Sequence, residues 1–312
     1  MSGVRHGGAK FMEKQDAILR ALVYDEEVSL AVIDMTQTVN EAVRIHDLSA
    51  LSAAALGRTL IAAAYMCSSL KEEKGALSVT VRGDGVGGGI YVSGDKALHM
   101  RGYIENPHAE LPLNAKGKLD VGGCVGRNGY LSVVRDDGEN VPFVGTTPLV
   151  SGEIGEDFAA YFAYSEQLPT AVAVGVKIGK DGTCIGAGGV FLQPLPGASE
   201  ESIAKAEKII GEFSAISTLC EHFTAEEILN RYFGTVNFYT LHPAYKCNCG
   251  RHYIEGILAA MGEQELRSIL EEQGCVSVHC HYCNTDYTFT PAETEAVIAR
   301  AKAREVHNRG HE

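Results

Sequence analysis

The chain has no tryptophan, and it is short of positive charge: 27 Lys and Arg stand against 40 Asp and Glu in 312 residues, a net charge of −13. An acidic surface repels phosphate backbones and anionic headgroups alike, so neither nucleic acid nor membrane is an expected partner. Long hydrophobic runs are also missing. The most apolar stretch, residues 51–67, is interrupted by Arg58 and falls short of the ~20 residues a membrane-spanning helix needs. The opening residues, MSGVRHGGAKFMEK, contain no apolar run, so no signal peptide is expected and a cytoplasmic location is. G-x-S-x-G, H-E-x-x-H and Walker-type loops are absent, which leaves common hydrolase and nucleotide-binding signatures unmet. Gly83, Gly85 and Gly88 do spell G-x-G-x-x-G. A dinucleotide fingerprint needs a helix next, however, and a strand-like run follows, so a hairpin turn is expected there.

Hydrophobic residues make up 45% of the chain, enough for an ordinary core. Three regions differ in texture. Residues 1–190 alternate strand patterns (76–83, 89–93, 98–104, 130–134, 142–145, 170–178 and 184–193) with helical ones (48–70 and 155–164). That mixture predicts an α+β domain of sheet and helix. Residues 191–238 predict a helical linker. Ser199 stands at an N-cap with Glu200 and Glu201 behind it. Ile203, Ala206, Ile209, Ile210, Phe213, Ile216 and Leu219 then recur at spacings of three and four, one apolar stripe on a helix of about twenty residues. Thr224 with Glu227 predicts a capping box for a second helix, and Gly234 its stop. Such a stripe must lie on something, because exposed it would be adhesive. Residues 239–312 are rich in Cys, His, Tyr and Asn, with helical patterns at 254–261 and 263–273 and a charged helical tail at 292–304. His307 and His311, four apart, read as part of that tail, not as a metal site.

The chemistry lies in the cysteines. Nine cysteines without an export signal point to a reducing compartment, where clustered thiols serve as metal ligands or redox centres. Cys247-Asn-Cys249 and Cys280-His-Tyr-Cys283 are two close pairs about thirty residues apart. Each pair supplies two ligands from one turn, and the folded insert returns the second turn to complete a tetrahedron. Four thiolates favour Zn²⁺, or less readily iron, over Mg²⁺ or Ca²⁺. A closed four-thiolate shell leaves no position for water or substrate, so it is structural, and no catalytic residue is expected. Oxidation of the thiolates would release the metal and its folding energy, with local disulfides Cys247–Cys249 and Cys280–Cys283 the geometrically near products. Alternatives stay open. The four cysteines could form an odd buried core, or a nearby histidine (His279 or His281 before His242 or His252) could replace one. Cys275 reads as a small hydrophobe or, less readily, as a thiol that resolves disulfides. Cys67, Cys124, Cys184 and Cys220 sit in apolar or Gly-rich contexts and read as structural.

These residues also carry a resemblance. The C-x-C…C-x-x-C order resembles the heat shock protein 33 family of redox-regulated chaperones. So do Ser151-Gly-Glu-Ile-Gly-Glu-Asp157 with Tyr161-Phe162 and Ser165-Glu-Gln167, Gly188-Gly-Val-Phe-Leu-Gln-Pro-Leu-Pro196, Arg101-Gly-Tyr103, and the run from Val278 to Phe289. Matches extend from about Ala17 to Ala299. The resemblance implies an N-terminal α+β domain, a helical linker and a C-terminal zinc domain with Cys247, Cys249, Cys280 and Cys283 as ligands. It implies a chaperone that rests when reduced and zinc-bound. Oxidants convert the four cysteines to two disulfides, zinc leaves and the linker unfolds. The active form, tending to dimerise, holds unfolding client proteins without ATP. Gly250 and Asn284 depart from the Ser and Gly of many members, and both suit tight turns.

Two other classes remain as alternatives. A zinc-ribbon nucleic-acid module would show a Lys/Arg stripe, and none is visible. A thiol oxidoreductase would place C-x-x-C at a helix start, whereas strand-like runs flank Cys280 and Cys283. The chain is therefore not read as an enzyme.

Overall fold

The computed structural model describes residues 14–309, with side chains through residue 302. The opening stretch 1–13, the His307 side chain and His311 lie outside the described residues. The chain divides after Tyr245 into two compact units.

The first unit contains β1 (Ala17–Val23), β2 (Val28–Asp34), α1 (Thr36–His46), α2 (Ala50–Cys67), β3 (Ala76–Arg82), β4 (Ile90–Asp95), β5 (His99–Ile104), α3 (Val121–Val125), β6 (Tyr130–Asp136), β7 (Phe143–Pro148), α4 (Gly155–Tyr164), β8 (Ala171–Ile178), β9 (Cys184–Pro194), α5 (Glu200–Ile209), α6 (Ile216–His222), α7 (Ala225–Phe233), β10 (Phe238–Leu241) and β11 (Ala244–Tyr245). Two sheets form, in the orders β10-β1-β2-β9-β8 and β11-β5-β4-β3-β6-β7. All pairings are antiparallel except β11 with β5. The mixed α+β class expected from sequence is what forms. The glycine-rich stretch after β3 leads into its antiparallel partner β4, as a hairpin connection.

Helix α2 packs against β8 and β9 of one sheet and β4 and β5 of the other. By length and composition it could cross a membrane, but 89% of it is buried inside the protein. That explains its apolarity on all sides. The cysteines read as structural are buried, and burial pushes Cys67 and Cys184 up to about 12 and Cys124 to about 11. Burial also holds Cys220 well above the usual thiol range, so all four stay thiols.

The five-stranded sheet is covered on both faces. Ile18, Ala31, Ile33 and Phe191 belong to the α2 core. Their neighbours Leu19, Leu30, Val32, Val190 and Leu192 form a second core with Ala206, Phe213, Ile216, Cys220, Ile228 and Leu229. The linker stripe thus lies on a sheet face, as its periodicity requires. It is not one helix, however. Residues 210–213 tighten into a 3-10 turn, and Ala215 leaves helical geometry at φ −120°, ψ 34°. Gly211 and Ser214, weak helix formers, stand at the break. The expected linker start at 191 falls inside β9, which pairs with β2 as far as Pro194. Beyond its expected end at 238, β10 and β11 still pair within the first unit.

Helix α6 lies directly on β9. A Cβ on Gly186 would sit 2.1 Å from the Ser217 carbonyl oxygen, and one on Gly188 2.4 Å from the Cys220 sulfur. The Lys14 ammonium donates to the carbonyl oxygens of Cys220 and Phe223, at the C-terminal end of α6. It also lies 3.4 Å from the buried Asp34 carboxylate. Two orphan helix carbonyls and a carboxylate are thereby satisfied together. The Thr224–Glu227 capping box then starts α7 as expected.

Lys14→Met keeps the aliphatic stem and removes the charge. Amide exchange over 216–233 should rise roughly tenfold, about 1.4 kcal/mol of local stability, with β3 to β7 unchanged. Equal protection in both proteins would show that the cluster does not hold α6.

Candidate metal centre

The second unit, Lys246–Glu312, contains α8 (Arg251–Met261), α9 (Glu263–Gln273), β12 (Val276–Cys280), β13 (Thr285–Phe289) and α10 (Pro291–Arg309). Its core is small: Ile254, Leu258, Leu266, Val276, Phe289, Val297 and Ile298. The two cysteine pairs flank the helical insert. Cys247 and Cys249 lie in the loop that leads into α8. Cys280 ends β12, and Cys283 lies in the hairpin turn, where the amides of Cys283 and Asn284 donate to the Cys280 carbonyl at 3.3 and 2.8 Å. Asn284 takes φ +53°, a left-handed conformation that asparagine tolerates better than most residues. Gly250 is extended at φ −166° with no neighbour where a Cβ would project, so its place suits other residues equally well. The departures at 250 and 284 therefore leave the local backbone sound.

All four sulfurs lie within 4.8 Å of one another and, among the described residues, form the one cluster of three or more metal-ligating side chains. Cys249 and Cys283 are 3.1 Å apart, and Cys247 and Cys280 3.8 Å. A tetrahedron with metal–sulfur bonds of 2.3 Å has sulfur–sulfur edges of about 3.8 Å, a value that the separations here, from 3.1 to within 4.8 Å, bracket. Electrostatics fit as well. Burial resists ionisation of Cys249, but donation from the Tyr287 hydroxyl and from the neighbouring thiols outweighs it and draws this thiol down to about 7. Burial pushes Cys247 up and Cys283 to about 11, and the neighbouring sulfurs add to both shifts. Four sulfurs this close favour a single thiolate unless a cation joins them. The donor set therefore accepts a soft dication.

Among the described residues no histidine belongs to this cluster. His279 Nδ1 is 2.7 Å from Asp286, and its ring meets the His281 ring edge-on at 5.0 Å. His252 lies 3.7 Å from Glu255 on α8. His242, in the first unit, contacts the Asp16 carbonyl at 3.0 Å. Cys275 lies outside the four, its sulfur 3.9 Å from the Ser277 hydroxyl.

Two residues escaped the sequence reading. The Arg251 guanidinium stacks 4.3 Å from the centroid of the Phe289 ring and donates to the Thr288 carbonyl at 3.0 Å and to Glu293 at 2.7 Å. It ties the start of α8, just after the first cysteine pair, to the strand after the second. Tyr287 on β13 brings its hydroxyl to 3.3 Å from the Cys249 sulfur. A basic residue two positions past the first pair and an aromatic four past the second were the available signals.

The sequence model of the Hsp33 protein family matches residues 16–290. The chain belongs to the Hsp33 family. A relative from Shouchella clausii named 33 kDa chaperonin is 41% identical over 294 residues, covering 93% of this chain and 99% of its own. Another of the same name, from Acetivibrio thermocellus, is 40% identical over 280 residues, covering 88% and 94%. The crystal structure of the 33 kDa chaperonin (Hsp33 homologue) from Thermotoga maritima is similar at a TM-score of 0.82 and 37% identity, covering 91% of this chain and 98% of that one. Membership of the Hsp33 family thus rests on sequence and fold over most of the chain.

Arg251→Ala should cost the second unit about 1 kcal/mol, the sum of an exposed cation–π contact and a partly exposed ion pair. Faster amide exchange in β12 and β13 would register it, and Arg251→Lys should recover only part, because stacking on the Phe289 ring needs a planar guanidinium. An alanine variant as protected as the parent would remove Arg251 from the site's support.

Proposed function

We propose that this chain is a redox-controlled, ATP-independent holdase chaperone of the cytoplasm. The observation that carries the reading is the gathering of four cysteine sulfurs within 4.8 Å. Family membership and the name shared by the relatives support a chaperone. In the reduced state Cys247, Cys249, Cys280 and Cys283 hold one zinc ion. Zinc supplies the positive charge that keeps four adjacent sulfurs as thiolates, and it cross-links the two turns.

The protein's own groups perform the switch. A cysteine thiolate attacks peroxide; an S–O bond forms, the O–O bond breaks and hydroxide leaves. A second thiolate attacks the resulting sulfenic sulfur, the S–S bond forms and hydroxide leaves again. Two peroxides convert four thiolates to two disulfides and four hydroxides, and the ligand set is gone. Sulfurs of different turns lie as close as 3.1 and 3.8 Å, so proximity alone does not choose the pairing. Chain spacing does: once the turns part, only the partner in the same turn stays within reach. We assign Cys247–Cys249 and Cys280–Cys283 on that ground.

The second unit then loses its main stabilisation. Its chain runs directly into β11, β10 and the helical segment 191–238. Release of that segment's helices α5, α6 and α7 would bare the sheet face of Leu19, Leu30, Val32, Val190 and Leu192 together with the stripe of Phe213 and Ile216, an adhesive surface for unfolding clients. The same surface offers a route to a homodimer in the oxidised form. With the bounds of 191 and 238 moved clear of β9 and β11, core, linker and switch are the roles of the first unit's sheets, its helices α5 to α7, and the second unit. Nucleic acid and membrane remain unexpected as partners of an acidic chain.

The test combines two readouts on one sample. Reduced protein should carry about one zinc, release it to a chromogenic chelator on peroxide treatment, and then suppress light scattering by a heat-denatured client without ATP. Full suppression by the reduced, metal-loaded form, unchanged on oxidation, would contradict the proposal.

A further inference from the structure

The Tyr287 hydroxyl and the Cys249 sulfur, 3.3 Å apart, bring a hydroxyl proton to one ligand of the proposed centre. The position of the hydroxyl is fixed from both sides. Tyr287 pairs with Val278 in the β12–β13 ladder, and its ring packs on the small core beside Phe289. Cys249 is held in turn by the loop before α8. When a metal binds, Cys249 is a thiolate, and the O–H···S bond occupies one of its lone pairs. Attack on an electrophile needs a free sulfur lone pair, so a hydrogen-bonded thiolate reacts more slowly.

We infer that Tyr287 is a positioning residue that shields Cys249, so that the first encounter with an oxidant falls on another sulfur of the cluster. The inference rests on the four-cysteine metal reading and deepens it. In the shielded state, peroxide oxygen is attacked by one of the other three thiolates; the S–O bond forms as the O–O bond breaks, and hydroxide departs. Cys249 retains its hydrogen bond until the ligand set has begun to come apart. The tyrosine thereby sets how readily the centre opens without being a ligand itself.

The variant is Tyr287→Phe, which keeps the ring in the core and removes only the hydroxyl. Tyr253→Phe, at an exposed tyrosine of the same unit, serves as control. Zinc-loaded reduced proteins are pulsed with N-ethylmaleimide and digested, and each cysteine's alkylation rate is read by mass spectrometry on singly modified chains. In this step the thiolate adds to the maleimide double bond and the resulting carbanion takes a proton from water, so no redox chemistry is involved. The parent should show Cys249 as the slowest of the four. Y287F should speed Cys249 about fivefold, with the other three changed by less than about twofold, and Y253F should match the parent. Equal Cys249 rates in parent and Y287F would overturn the inference, as would a common acceleration of all four, which is what simple loosening of the fold would give. A Y287F protein that no longer retains zinc would overturn it too, assigning the hydroxyl to assembly of the site. The redox reading fails separately, if parent protein keeps its zinc under peroxide while these alkylation rates follow the predicted pattern.

Discussion

Four sulfurs confined within 4.8 Å are the tightest electrostatic constraint in the second unit. Without a cation they compete for a single negative charge: Cys249 is eased toward ionisation while Cys247 and Cys283 are driven away from it. A dication removes that conflict and links the loop before α8 to the β12–β13 turn. The unit has little else. Its buried hydrophobic members are Ile254, Leu258, Leu266, Val276, Phe289, Val297 and Ile298, a core too small to be expected to hold a fold unaided. Arg251, stacked on Phe289, adds a local tie rather than a second core.

The first unit is built on the opposite principle. Helix α2 lies between two sheets, and the five-stranded sheet carries a core on each face. One of those faces is covered by short helices whose continuity is broken at 210–215, and which are held by glycine contacts and by Lys14. A cover made of short pieces opens locally at less cost than the sheet beneath it. One molecule thus carries a small unit gathered around four sulfurs and a large apolar face under a sectional cover. These are the two parts a redox-controlled holdase requires.

Much of this was legible in the sequence because the signals were local. The C-x-C and C-x-x-C pairs, the Thr224–Glu227 box, the Ser199 cap and the alternation in β3 to β9 each depend on a few neighbouring residues, and each was read within a few residues of its place. What was missed depends on partners far along the chain. Val28–Asp34 is apolar almost throughout because both faces of β2 are covered, so it shows no alternation to read. Strand β10 exists because β1 offers it an edge. The break between α5 and α6 falls at Gly211 and Ser214, and the apolar period runs through it without a mark. Tyr287 and Arg251 act through contacts across thirty residues or more, and nearness to a cysteine pair, their one local signal, does not reveal those partners.

The central claim is that the metal held by the four thiolates is what keeps the second unit folded. Hydrogen exchange on reduced protein, before and after stripping by a strong chelator with thiols kept reduced throughout, tests it most directly. The account predicts that α8, α9, β12 and β13 lose most of their protection while β3, β4 and β6 keep theirs. Protection of α8 through β13 that survives complete metal removal would contradict it.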